Sequence, residues 1–124
     1  VHLDRLDRGE AIKTKVPLPV QTWTFGDSLA IVFLGGEVVV DYALRLKQEL
    51  DAQRVWINSY ANDVPCYIPS ERVLQEGGYE GGGAMRFHDW AAPFRPGLEQ
   101  KIVDEVHYQL TDRYRRYPYV RSNP

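Results

Sequence analysis

The chain has 124 residues, 44 % hydrophobic and 26 % charged, which suits one small domain with its own core rather than a disordered segment. Fifteen Lys and Arg against 17 Asp and Glu give a net charge of -2, which argues against broad electrostatic binding of nucleic acid. Cys66 stands alone and excludes an internal disulfide, and the longest apolar run, Leu29 to Leu34, is far below the roughly 20 residues of a transmembrane segment.

Residues 1–15 are charged and weakly patterned and read as a lead-in. From Val20 to Phe25 the residues alternate as in a strand, with Pro17 and Pro19 suited to its start or to a sheet edge. Gly26-Asp27 signals a turn, and Leu29 to Leu34 forms a second, strongly apolar strand, so the two predict a hairpin. After Gly35-Gly36-Glu37 the period changes: Val39, Ala43, Leu46 and Leu50 mark one face of a helix, although Val38-Val39-Val40 is a poor helix start by propensity. Val55 to Tyr60 reads as a further strand, and strand, helix, strand with short joints is the layout of an α/β unit in which the second strand can run parallel to the first. Residues 61–69 predict an ordered loop restricted by Pro65 and Pro69. Ser70 is a candidate cap for a short helix that Gly77-Gly78 ends. Leu98, Ile102, Val106 and Leu110 define a second amphipathic helix. The tail from Tyr114 carries Arg115, Arg116 and Arg121 among Tyr117 and Tyr119, and Asp104, Glu105 and Asp112 lie close enough in sequence to weaken a nucleic-acid role. The expected class is α/β, with a mixed β-sheet, two main amphipathic helices and long ordered loops.

Few positions offer chemistry. Glu37 follows an apolar strand and two glycines, where side chains at strand ends of α/β folds reach the ligand crevice; a carboxylate there can bind a metal, act as a base, or simply sit at the helix start. The segment from Tyr60 to Pro69 is dense in Asn, Asp and Tyr: Tyr67 can donate a proton or ligate a hard cation, whereas Asn62 and Asp63 equally suit a turn. Glycines surround Tyr79 and Glu80, as in a backbone drawn close to a ligand or a flexible surface loop, but no phosphate-loop or dinucleotide motif is present. Cys66 lacks an adjacent base and reads as an inert thiol, and His88 with Glu80 is too little to specify a metal site. His107 reads as structural or exposed. A catalytic zinc usually takes three protein ligands and keeps one open position, so further ligands would have to come from elsewhere.

The pieces Gly36-Glu37 ahead of a helix with Arg45-Leu46, then Tyr60-Ala61-Asn62, Tyr67-Ile68-Pro69 and Tyr79-Glu80-Gly81-Gly82, resemble in order and approximate spacing the last part of the catalytic domain of the neutral ceramidase family. The resemblance covers roughly residues 17 to 110. It departs from the family where Val38-Val39-Val40 replaces Phe-Thr-Thr after Gly-Glu, and in a shorter stretch between Glu37 and Tyr67. What it implies is a zinc amidase that cleaves the N-acyl bond of ceramide or of another lipid-like amide. In that family zinc is held by two histidines, a glutamate and a tyrosine; the last two carry over to Glu37 and Tyr67, and a substrate-contacting tyrosine carries over to Tyr79. The histidines lie in earlier parts of the family's domain and have no counterpart here. On this reading residues 16–124 are the C-terminal part of a catalytic domain, and the partner is the upstream part of that domain or a separate chain supplying it. The family also implies a secreted or periplasmic setting. Isolated, the chain is expected to be inactive. The competing expectations are a non-catalytic structural or interaction domain of the same fold, and a stand-alone hydrolase using His88, Glu80 and Glu37.

Overall fold

A computed structural model describes residues 2–122; Val1, Asn123 and Pro124, the outer ends of the expected lead-in and catalytic portion, lie outside the described residues. The apolar strands pair as their patterns require. β1 (Val20–Phe25) and β2 (Leu29–Leu34) form an antiparallel hairpin, and β4 (Val55–Asn58) joins β2 in parallel, giving a mixed three-stranded sheet in the order β1-β2-β4. Between them lie β3 (Glu37–Val38) and helix α2 (Val40–Glu49). The β-branched run is divided rather than wholly helical: Val40 opens the helix, Val39 is its extended N-cap, and Val38 pairs with Ile68 of β5 (Tyr67–Ile68), a parallel two-residue ladder inside the stretch expected to be loop.

Helix α3 (Glu71–Glu76) begins as expected at Ser70, whose hydroxyl accepts from Val73 N–H, and ends at Gly77. The glycine-rich stretch beyond it is not loop. It forms a short helix α4 (Gly78–Gly81) and a 3-10 turn, Gly83–His88. A Cβ on Gly81 would lie 2.5 Å from the Val73 carbonyl, so the glycine is what lets α4 press against the end of α3. Helix α5 (Leu98–Gln109) follows the predicted periodicity. The lead-in also contains a helix, α1 (His2–Asp7), with no buried residue.

Ala30, Val32 and Leu34 of β2 point into one core with Tyr42 and Leu46 of α2 and Ile102, Val103 and Val106 of α5. Arg45 of α2 ties these layers at their rim: its guanidinium donates to Glu49 (2.8 Å), Glu99 (2.8 Å) and Gln100 (2.7 Å). Glu99 in turn accepts from Glu71 N–H at 2.8 Å, and Asp41 accepts from Ser70 at 2.5 Å and from Arg72, so α2, α3 and α5 share one polar seam. Bonding to Arg72 and then to Ser70 holds the Asp41 carboxyl below its usual range.

Among the described residues, the helices pack on one face of the sheet. Strand register puts Trp23, Phe25, Ile31, Phe33 and Trp56 on the other, where Trp23, Phe25 and Trp56 are each more than half exposed and the Trp23 and Phe33 rings touch at a centroid separation of 5.0 Å. All-parallel sheets are usually covered on both faces, whereas antiparallel pairs such as β1 and β2 commonly leave one face open. No helix among the described residues is long and apolar enough to cross a membrane.

His107 is structural and fully buried, stacked on Tyr119 with centroids 3.6 Å apart. Its Nε2 lies 2.7 Å from Glu49, whereas its Nδ1 is buried without a partner, so the neutral ring donating through Nε2 is the form that fits. Burial, outweighing the neighbouring Glu49 carboxylate, lowers its pKa below the ordinary 6.5. The unfolded chain therefore takes up this proton at a higher pH than the folded one. The contribution is complete above pH about 6.5 and is lost as pH falls from there through the lower folded value. Urea midpoints should fall between pH 7.5 and 5.5, and His107→Gln should flatten that slope; an equal slope in the variant would remove His107 as its source.

Candidate functional site

The site is built on a corner of backbone. Leaving β2, the chain passes Gly35 and turns at Gly36, where φ is +75° and a Cβ would stand 2.6 Å from Ile68 Cγ1. Gly36 N–H donates to the Asp63 carbonyl (2.8 Å) and Glu37 N–H to that of Cys66 (3.0 Å). The Gly36 carbonyl accepts from Tyr60 N–H (3.0 Å) and from the Ser59 hydroxyl (3.1 Å), whose oxygen accepts from Val38 N–H (3.0 Å). The Gly36 amide and carbonyl and the Glu37 amide thus all engage the segment after β4, while Gly35 N–H donates to the Pro19 carbonyl (3.0 Å).

Glu37 pairs with Tyr67 and Val38 with Ile68. Paired neighbours on adjacent strands share a face, and faces alternate along a strand. Because Ile68 is fully buried, Glu37 and Tyr67 together project away from the core, both half-buried. The two residues singled out 30 positions apart are side by side. Tyr79, on α4, sets its ring edge-on against Tyr67 (centroids 5.5 Å apart, planes at 70°) and is half exposed. Phe87 lies beyond it at 6.2 Å.

Tyr60 completes the group and is the residue that sequence reasoning missed. Its backbone is left-handed (φ +59°), unusual for an aromatic residue, and its hydroxyl faces the Glu37 carboxylate. Hydrogen bonding to that carboxylate, helped by partial desolvation, pushes the Tyr60 phenol up to about 12 and raises Tyr67 in the same way; the charge of Glu80 adds a smaller push on Tyr67. As the site stands, then, its negative charge disfavours phenolate at both tyrosines. An added cation would reverse that logic by favouring phenolate.

The alternatives raised by the sequence also resolve at this corner. Glu37 lies in a strand, and Asp41 is the acid of the helix's first turn. Asn62 is left-handed (φ +65°) and Asp63 Oδ1 accepts from Val64 N–H, so both serve the turn. Cys66 is fully buried and burial raises its thiol to about 11, as an inert cysteine requires. His88 is exposed on the 3-10 turn, and no group of three His, Cys, Asp or Glu side chains suited to a metal occurs among the described residues. The stand-alone set of His88, Glu80 and Glu37 therefore does not assemble. Glu37 and Tyr67 stand as adjacent oxygen donors on one outward face.

No protein-family model, curated protein or solved structure matches the chain. A functional reading rests on the geometry of this corner together with the motifs that run through it.

Gly36→Ala would force a side chain into left-handed backbone and into Ile68. It should cost about 2 kcal/mol or more of stability, read as a lowered urea midpoint; an unchanged midpoint would mean that the corner relaxes freely.

Proposed function

We propose that the chain is the C-terminal part of a zinc-dependent amide hydrolase resembling the neutral ceramidase family, acting on the N-acyl bond of ceramide or another lipid amide. The observation that carries this reading is the in-register pairing of Glu37 with Tyr67 and the contact of Tyr79 with that same phenol. Three residues from separate motifs meet on one outward face, with their hydroxyl and carboxylate groups close enough to influence one another.

In this reading Glu37 and Tyr67 are two of the zinc ligands, and histidines from the upstream part of the domain, or from a separate chain, are the others. Zinc supplies Lewis acidity and a nucleophile usable at neutral pH. Tyr60 hydrogen-bonds to the Glu37 carboxylate and steadies it. The Tyr79 hydroxyl, half exposed beside the ligand pair, donates a hydrogen bond to the substrate carbonyl oxygen as negative charge gathers there. Such a donor matters more in the transition state than in the ground state, which is why losing one typically costs about 10²–10³ in turnover. The exposed aromatic face of the sheet supports the partnership: an element of the same larger domain packed there would bury Trp23, Phe25 and Trp56.

That face also favours a second reading, a non-catalytic structural or interaction domain of the same fold. Metal separates the two. In the assembled enzyme, Tyr79→Phe should lower kcat about a hundredfold or more while zinc content stays near that of the wild type. Glu37→Gln should lower zinc occupancy itself. Full zinc occupancy in the glutamine variant would take Glu37 out of the ligand set, and parallel loss of zinc and turnover in Tyr79→Phe would remove the oxyanion role. The 124-residue chain by itself should show neither stoichiometric zinc nor amidase turnover, by metal analysis and an N-acyl amide assay. Turnover by the chain alone would overturn the half-site reading.

A further inference from the structure

A groove of about 700 Å³ lies apart from the Glu37 corner, between the segment leading into β1 and the one leading into α5. Its floor is apolar: Met85, Trp90, Phe94 and Leu98 are buried or half-buried there. Its rim carries four exposed cations, Lys13, Lys15, Arg95 and Lys101, and no carboxylate lines it. In a chain whose net charge is -2, that concentration of one sign is a local feature rather than a reflection of composition.

The cations are not engaged elsewhere. Among the described residues none of the four forms an ion pair with a carboxylate, whereas Arg5, Arg8, Arg45, Arg54, Arg72 and Arg113 all do. Asp89, the acid that feels the charge of Lys13, is bonded to Arg5 at 2.7 Å. The floor is also fixed in place. Trp90 donates through Nε1 to the Pro65 carbonyl (3.1 Å) and through its backbone N–H to Met85 (3.0 Å), and Lys13 Nζ stands 5.8 Å from the centre of its ring. A rigid aromatic and aliphatic trough under a ring of unpaired cations complements a ligand with an alkyl body and an anionic head. It suits neither a neutral lipid, which would leave the cations unanswered, nor a small hydrophilic anion, which would leave the floor unused.

We propose that this groove binds a single-chain anionic amphiphile, a long-chain carboxylate, with its alkyl chain along Trp90, Phe94 and Leu98 and its head between Lys13 and Lys101. The assignment stands independently of the amidase reading, since no residue of the Glu37 corner lines the groove.

Titration calorimetry of the full 124-residue chain with laurate, kept below its micelle concentration, tests it. Laurate should bind one to one, dodecyltrimethylammonium at least tenfold more weakly, and acetate not detectably. Lys13→Gln/Lys101→Gln should weaken laurate at least tenfold and not weaken the cationic amphiphile, with circular dichroism confirming the fold. Lys15→Gln/Arg95→Gln, at exposed rim positions, provides a second lesion should the first pair fold poorly. Equal affinity for both headgroups would assign the binding to nonspecific adsorption, for instance on the Trp23 and Trp56 face, and overturn the proposal. So would unchanged laurate affinity in a folded variant, or capture of polyglutamate with no binding of laurate, which would make the groove a site for acidic peptides.

Discussion

The parallel pairing of Glu37–Val38 with Tyr67–Ile68 is the constraint on which the candidate site depends. It is only two residues long, too short to persist by its own hydrogen bonds. It is held because Ile68 is driven into the core and because the Gly36 corner binds the loop from Ser59 to Cys66 through both its amide and its carbonyl. Hydrophobic burial on one face of the ladder therefore fixes the polar pair on the other. The carboxylate and the phenol are placed beside each other by the residues one position further along each strand, fully buried Ile68 and partly buried Val38.

The same economy appears in the helical layer. Arg45 satisfies three acceptors on two helices, and Glu99 links that guanidinium to the start of α3. A partly buried guanidinium with several acceptors loses less than an isolated ion pair would, because its fork is ordered once for all three bonds. The outcome is that α3, and α4 which leans on its end, are referenced to α2 and α5 rather than left on a mobile loop. Tyr79 inherits its position beside Tyr67 from this chain of contacts.

Long-period patterns were legible in the sequence, and short pairings were not. The β1–β2 hairpin, both amphipathic helices and the Ser70 cap follow from alternation, from steps of three and four, and from a side chain suited to free amides. Two-residue strands carry no period, so β3 and β5 read as a helix start and a loop. The glycine cluster around Tyr79 reads as loop because propensity disfavours glycine in helices, whereas here packing against α3 requires it at Gly81. Glu37, Tyr67 and Tyr79 were singled out from motif and neighbourhood, and the fold brings them together. Tyr60 was quoted within a motif without a role of its own. Its left-handed backbone accompanies the N–H bond to the Gly36 carbonyl, which nothing in its own residue type announces.

Gly36 carries a further consequence for how this site should change over time. The glycine is demanded by backbone shape and by the nearness of Ile68, whatever chemistry its neighbour performs. If the proposed amidase reading holds, descendants without catalysis would be free to replace the acid that follows, yet would still be bound to keep the glycine in order to fold. Among diverged copies, then, persistence of position 36 would report only architecture, and the identity of position 37 would be the mark that separates working lineages from silent ones.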